Sequence, residues 1–439
     1  AAYAGRQSIT NHNSEVSRQG TPSELNRFEV GRAMKITFVL NSIGRVGGVR
    51  AAFEHANHLQ QRGHHVNVVY PAVNLTHLKR LSLGAFALWL VASTMRLAQN
   101  LIPGDCLQPF ETTSRIIRVL TLHPRFAKSL ERSIPDADAV LATAWETAYA
   151  VNGLSDTKGE KFYFVQSYEI WEVWNNEACW EEAKRRKKSD DTCALAMAAV
   201  TPKKRRVRET KELVDGSYRL PMRKITIAEW LKKLVESKFD QRTDGVVPNG
   251  VNSDTFFSEG ERREASEHIN VLMPYRPEKF KGFSDGLEAF ARVKARHPDT
   301  RFAVFGRKLG TGSLRKLPHW IAFHPITSDA QLRALYSETH IFVVPSWIEG
   351  FGLPPMEAMA CGCAVVATDA GGFTDCLANG ENALLVPIQS PGALAQCVCR
   401  LIENDEERRR VAEKGYRFVQ QFTWEDAAEK LEAILANRE

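Results

Sequence analysis

The 439-residue chain contains no clean apolar run long enough to cross a bilayer. Its nearest candidate, Leu81 to Ile102, is broken by Arg96 and Gln99 and preceded by Lys79-Arg80, short of the about 20 apolar residues a spanning helix needs. A core helix, or a basic-headed helix lying on a membrane surface, remains. Cysteine is sparse: eight residues (106, 179, 193, 361, 363, 376, 397 and 399) form two C-x-C pairs but no paired C-x2-C knuckles with matching histidines. That spacing disfavours zinc and disulfides and suits small buried thiols in a reducing cytosol. The G-x-G-x-x-G fingerprint is missing, which argues against a dinucleotide site. Residues 1 to 33 are polar and lack both apolar periodicity and the h-region of a secretory signal, so they read as a disordered tail or an appended remnant ahead of Met34.

What is present is ordinary globular composition, 44% hydrophobic and 25% charged, at a length expected to divide into two or three domains. The organising stretch is Val343 to Ala370, VVPSWIEGFGLPPMEAMACGCAVVATDA. An apolar β-branched run, Ile341 to Val344, reads as a buried parallel strand that stops at Pro345. Gly350 and Gly352 flank Phe351 and let the backbone fold tightly, and Pro354-Pro355 suit the first turn of a helix carrying Met356 to Ala360. A second strand follows at Ala364 to Ala367. The loop therefore lies at a strand's carboxyl end and a helix N-terminus, where open α/β sheets bind phosphates and nucleotides.

Glu349 and Glu357 stand eight residues apart in this unit. Taken singly, Glu357 reads equally well as a residue favouring the helix dipole, worth about 0.3–1 kcal/mol, and Glu349 as a solvated loop residue. Together, E-G-F-G-L-P-P-M-E-A-M-A-C-G resembles the E-x7-E segment of the retaining glycosyltransferases of family 4. The resemblance implies the α/β GT-B fold, two Rossmann-like domains with parallel sheets facing a central cleft. It also implies that Glu349 lies beside the donor sugar, that Glu357 accepts hydrogen bonds from the nucleotide ribose, and that backbone N–H groups of Phe351, Gly352 and Leu353 face the diphosphate or sugar.

Along the chain, Lys35 to Leu40 is a strand, NSIGRVGGVR (Asn41 to Arg50) a glycine-rich turn opening a helix, and HHVNVVY the next strand. Gly47 and Gly48 let amides approach an anion, and G-G-V-R here resembles the glycine loop of the family's N-terminal domain. Asp136-Ala137-Asp138 spells a D-x-D, but it precedes its strand rather than following it, and no metal site is expected. Q-S-Y-E-I-W (Gln166 to Trp171), Tyr218-Arg219-Leu220-Pro221 and Trp230-Leu231-Lys232 resemble a bacterial subset of the family. Trp145, Tyr168, Glu169 and Trp171 are the expected acceptor contacts.

Between those matches, Trp180 to Lys224 holds 14 Lys and Arg against 7 Asp and Glu, although the whole chain carries only +6. KRRKK (184 to 188) and KKRRVR (203 to 208) flank an apolar stretch, which suggests a helical hairpin inserted at about 180 to 212. Three readings stand: a solvated insertion, a patch for anionic lipid or a polyanionic acceptor, and a nucleic-acid patch. Few aromatics interleave the basic residues, so nucleic acid is the least favoured.

The second domain is expected to begin with a strand at Ile225 to Ala228. The expected limits are an N-terminal domain over 34–222, a C-terminal domain over 223–422 and a last helix over 423–439 crossing back to the first domain. Arg276 and Lys281 project from the loop after a strand at Asn270, and the family's R-x4-K pair binds the donor diphosphate. Guanidinium plus ammonium stabilises the charge that grows on a leaving diphosphate. The implied activity is retaining, metal-independent transfer of a hexose from a nucleotide-diphosphate sugar to a saccharide or lipid-linked hydroxyl, in the cytoplasm or at the inner membrane face, with no cofactor. A sugar-nucleotide epimerase of the same fold and a catalytically silent anion-binding protein remain open, although neither needs the E-x7-E pair.

Overall fold

Runs that lack polar alternation become parallel strands hidden on both faces, and the computed structural model places two sets of them in two sheets. It describes residues 32–43, 47–71, 112–119, 121–122, 127–186, 196–197, 199–258, 267–306 and 317–437. The tail through residue 31, the apolar stretch Leu81 to Ile102 and the pair Lys187-Lys188 lie outside the described residues.

The first sheet is built from β1 (Lys35–Val39), α1 (Gly47–Gln61), β2 (His65–Pro71), β3 (Arg115–Val119), α2 (Ala127–Ser133), β4 (Ala139–Ala142), α3 (Trp145–Asn152), β5 (Glu160–Val165), α4 (Trp171–Trp174), α5 (Glu177–Arg186), α6 (Arg205–Ser217), β6 (Arg223–Thr226), α7 (Glu229–Phe239) and β7 (Gly245–Val246). Its order is β3-β2-β1-β4-β5-β6-β7, parallel throughout. The expected start of the second domain at 223 is therefore corrected. β6 pairs with β5 through Phe164 and Ile225, and β7 extends the same sheet. The cause is burial: the neighbouring Ile225 and Thr226, on opposite faces, are both wholly inaccessible, and a strand buried on both faces is satisfied only inside a sheet. The Leu220 to Lys224 link is tied down as well, with the Lys224 ammonium donating to the carbonyls of Leu220 and Met222, each at 2.8 Å.

The second sheet follows from β8 (Asn270–Pro274), α8 (Phe283–Arg296), β9 (Arg301–Gly306), β10 (Ile321–Pro325), α9 (Asp329–Ser337), β11 (Ile341–Val344), α10 (Leu353–Ala360), β12 (Ala364–Thr368) and β13 (Leu384–Val386), with α11 (Pro391–Glu403), α12 (Asp405–Val419) and α13 (Trp424–Ala436) after it. The order is β10-β9-β8-β11-β12-β13, again parallel. Every residue of β11 and β12 is buried.

α13 packs its Trp424, Ala427, Ala428, Leu431 and Leu435 inward and meets α1 of the first sheet. His55 of α1 lies edge-on to Trp424 at 5.3 Å, and Arg62 pairs with both Glu425 and Glu432. Met34–Glu439 holds together as one unit.

Both sheets reverse their strand order once, between β1 and β4 in the first and between β8 and β11 in the second. The crevice outside the carboxyl ends at such a reversal is where doubly wound sheets take ligands. Asn41 and Trp145 follow β1 and β4, and Arg276 and Glu349 follow β8 and β11.

Candidate active site

β8 ends at Pro274, and the chain turns through Arg276 to a short 3₁₀ turn, Lys279–Lys281. Gly282 then takes φ +64, and a Cβ there would stand 1.9 Å from the Pro345 carbonyl oxygen. Only a residue without a side chain lets this loop press against the end of β11. The contact is locked from the other side, where the Trp347 N–H donates to the Phe280 carbonyl at 2.7 Å and the Trp347 indole N–H to Asp285 at 2.7 Å. These contacts bring the Lys281 ammonium 2.8 Å from Glu349 Oε2, while Ser346 donates its hydroxyl to Glu349 Oε1 at 2.7 Å. The expected cation and the first carboxylate of E-x7-E are thus in direct contact. Arg276 is exposed, its guanidinium donating at 3.2 Å to the Tyr275 carbonyl.

The Gly350 loop is held at close quarters from both halves. A Cβ on Gly350 would come 2.5 Å from the Gln166 carbonyl oxygen, so the bare backbone lets the loop after β5 approach. Trp230 at the start of α7 donates its indole N–H to the Gly350 carbonyl at 2.9 Å, and the Gly372 N–H donates to the Glu349 carbonyl at 3.1 Å. Phe351 turns its ring into the core, leaving only its backbone for a ligand. Gly352 caps α10, Leu353 opens it, and Glu357 lies in its second turn. At the facing end of α1, Gly47 and Gly48 begin the helix, and Gly48 abuts the Gln166 side chain.

Glu357 is 4% exposed. Burial pushes its carboxyl up to about 7, against the pull of Arg50 and Arg276. Arg50, the last residue of G-G-V-R, reaches across from α1 and donates to Glu357 Oε1 at 2.8 Å. Sequence reasoning noted that motif for its glycines and missed its arginine. Asp329 at the start of α9 was missed as well, because nothing in the sequence ties it to Arg50; it lies 3.2 Å from Arg50 Nη2.

The expected acceptor residues separate into two groups. Tyr168 is wholly buried, its hydroxyl hydrogen-bonded to Asp215 and reached by Lys238 at 3.1 Å. It is a core residue, which corrects its assignment as an acceptor contact: a phenol with partners on both sides is satisfied inside. Trp171 remains 41% exposed but stacks its ring on Phe280, at 5.8 Å between centroids, and so braces the Lys281 turn. Trp145 and Glu169 belong together, with the Trp145 N–H donating to Glu169 Oε2 at 2.6 Å. Burial, reinforced by the nearby Glu146, pushes the Glu169 carboxyl well above the usual carboxylate range.

The described parts of the basic segment are anchored. Ala196, Met197 and Val200 are buried, and Tyr149 of α3 donates its hydroxyl to the Leu213 carbonyl of α6 at 2.8 Å. Lys203, Lys204, Arg205, Arg206 and Arg208 at the start of α6 are exposed, and Arg206 pairs with Glu172. Asp136 pairs with Lys158, and Asp138 accepts from the Lys35 N–H at 2.8 Å, so the D-x-D carboxylates serve local structure.

Residues 257–418, which span the second sheet and the E-x7-E unit, match the glycosyl transferases group 1 family. The chain is 31% identical over 250 residues to a D-inositol 3-phosphate glycosyltransferase of Corynebacterium aurimucosum, covering 52% of this chain and 58% of that protein. It is 31% identical over 197 residues to a phosphatidyl-myo-inositol mannosyltransferase of Mycobacterium tuberculosis, covering 42% and 52%. It thus spans little more than half the length of these relatives. Among solved structures, sucrose-phosphate synthase of Thermosynechococcus elongatus superposes with a TM-score of 0.65 at 18% identity, covering 91% of this chain and 98% of that one. The Anabaena protein HepE in complex with UDP-glucose superposes with a TM-score of 0.61 at 16% identity, covering 92% and 99%. The two parallel sheets and these neighbours define the GT-B fold.

Proposed function

We propose that the chain is a retaining, metal-independent hexosyltransferase that takes a nucleotide-diphosphate sugar as donor. The observation that carries this reading is the convergence of Lys281 and Glu349, 2.8 Å apart, at the strand-order reversal of the second sheet, with Glu357 eight residues further on. The family of residues 257–418 and the UDP-glucose bound by the HepE structure support it. In this reading Arg276 and Lys281 hold the donor diphosphate, Glu349 binds the sugar hydroxyls, and Glu357 accepts from the ribose.

The chemistry follows from charge. As the bond between the anomeric carbon and the phosphate oxygen breaks, negative charge builds on the diphosphate, where Arg276 and Lys281 stabilise it more than they stabilise the bound donor. The acceptor oxygen attacks from the face the phosphate leaves, the new carbon–oxygen bond forms there, and the departing phosphate oxygen takes the acceptor proton. Configuration is therefore retained. Glu349 bonds the sugar and helps fix the position of Lys281. The acceptor hydroxyl, from a saccharide or a lipid-linked saccharide, lies on the side of Trp145 and Glu169. Following the anomeric proton of the transferred sugar by NMR tests the reading. An α-linked donor sugar should give an α-linked product, and an inverted product would rule the mechanism out.

A further inference from the structure

Arg50 occupies an unusual position for a residue in the first turn of a helix. Its Nη1 is 2.8 Å from Glu357 Oε1, its Nη2 3.2 Å from Asp329 Oδ2 and its Nε 3.8 Å from Glu54 Oε1. Its guanidinium carbon stands 5.3 Å from the centre of the Phe256 ring. The Arg50 side chain is 13% exposed and that of Glu357 6%. One cation from the first sheet's α1 thus neutralises carboxylates on α9 and α10 of the second.

Such a contact is too well buried to be incidental. An ion pair removed from water holds only where geometry and further hydrogen bonds repay desolvation, and loss of one partner strands the other. Here the partner left behind is Glu357. The groups around it are Arg50 and Glu54 from α1, Asp329 and Tyr336 from α9, and Arg276 from the loop after β8. Among the described residues, Asp329 and Glu54 oppose its ionisation, and Arg50 and Arg276 favour it.

We infer that Arg50 is a positioning residue for the donor nucleotide: it favours the ionised form of Glu357, orients it for the ribose hydroxyls and, by the same hydrogen bond, draws α1 onto the nucleotide-binding half. This rests on the reading of Glu357 as the ribose acceptor. A carboxylate offers two oxygens; Arg50 engages Oε1, and the second remains to accept from a hydroxyl. Without Arg50 the strongest favourable charge beside Glu357 is lost, so its proton is held to higher pH and the group turns from acceptor to partial donor. Nucleotide binding and the approach of the two halves then share one side chain.

The test is titration calorimetry with UDP, GDP and ADP, carrying forward whichever the wild type binds most tightly, over about pH 6 to 9, on the wild type, Arg50→Gln, Arg50→Lys and Glu357→Gln. Circular dichroism confirms that each variant is folded. Arg50→Gln is expected to weaken binding about tenfold or more at neutral pH, the scale of a charge-assisted hydrogen bond, and to move the midpoint of affinity against pH upward. Arg50→Lys should restore most of that midpoint, because it returns the charge without the fork. Glu357→Gln should flatten the profile. An Arg50→Gln profile with an unmoved midpoint, whether its affinity is unchanged or uniformly lower, overturns the proposal. If the wild type binds nucleotide and Glu357→Gln binds it equally well, the assignment of Glu357 fails instead. Should Arg50→Gln not fold, Arg50→Lys carries the test, and a Lys variant with neither a weaker affinity nor a moved midpoint relative to wild type counts against the role of the guanidinium.

Discussion

Lys281 Nζ lies 2.8 Å from Glu349 Oε2, and Glu349 Oε1 accepts from Ser346 at 2.7 Å, so the carboxylate is held from both sides before any donor arrives. Glu357, by contrast, is held by a cation from the other sheet. The proposed reading gives the two carboxylates of E-x7-E separate duties. Glu349→Gln is expected to leave the affinity for free nucleoside diphosphate nearly unchanged while lowering turnover, and Glu357→Gln to weaken that affinity. Calorimetry on both variants alongside initial rates checks this, and equal losses of nucleotide affinity would refute the division.

Gly282 concerns the clamp's backbone. Gly282→Ala places a Cβ 1.9 Å from the Pro345 carbonyl in a backbone region with φ +64, so the loop must shift. A stability loss of about 1–3 kcal/mol is expected from the strained conformation and the clash. Turnover should fall further than stability alone explains, since Lys281 is the preceding residue. Thermal melting and rates at a temperature where the variant is fully folded separate the two; normal turnover in that folded variant would show that the loop position is not critical.

His55 couples the fold to pH. It is wholly buried between Phe164 and Trp424, neither ring nitrogen has a hydrogen-bond partner among the described residues, and burial lowers its pKa from 6.5 to about 3. The unfolded chain takes a proton below 6.5 that the folded chain refuses, so stability falls as pH drops from 6.5 toward 3. Between pH 7 and pH 5 this one residue should cost about 2 kcal/mol, since each tenfold difference in proton affinity is worth about 1.4 kcal/mol. Denaturant unfolding of His55→Leu should show a correspondingly smaller loss over that interval, and an identical loss would mean that other groups govern the acid limb.

The exposed basic turn that begins α6 is where contact with an anionic surface is expected. Lys203, Lys204, Arg205 and Arg208 changed together to Gln should remove cosedimentation with phosphatidylserine vesicles, each basic residue near such a surface contributing about 1 kcal/mol. Wild-type binding should weaken steeply with salt, because exposed charges are screened over a Debye length of about 8–10 Å. Equal sedimentation of variant and wild type, or none by either, would leave the patch as solvated surface.

Much of this was legible in the sequence because its signals are local. Two unalternated apolar runs around Pro345 marked β11 and β12, the paired prolines marked α10, and glycines marked the loops that approach one another. What stayed hidden depends on distant contacts. Ile225 to Ala228 reads as a strand in isolation, but nothing local tells which sheet it joins. Tyr168 looks like a loop aromatic until Asp215, 47 residues away, takes its hydroxyl. Arg50 was in view within G-G-V-R, yet its partner Glu357 lies 307 residues on. Local pattern specifies elements, whereas the pairing of charges across the two halves exists only after both sheets have formed.

The central claim, a diphosphate clamp that drives glycosyl transfer, is tested most directly by nucleoside diphosphate release from a panel of sugar nucleotides, with saccharide acceptors present, for the wild type, Arg276→Ala and Lys281→Ala. The wild type should release nucleoside diphosphate from at least one donor. Each variant, melting normally, should be slower by the equivalent of about 2–4 kcal/mol in transition-state stabilisation, as loss of one preorganised donor typically costs. Wild-type turnover that persists unchanged in both variants would contradict the account.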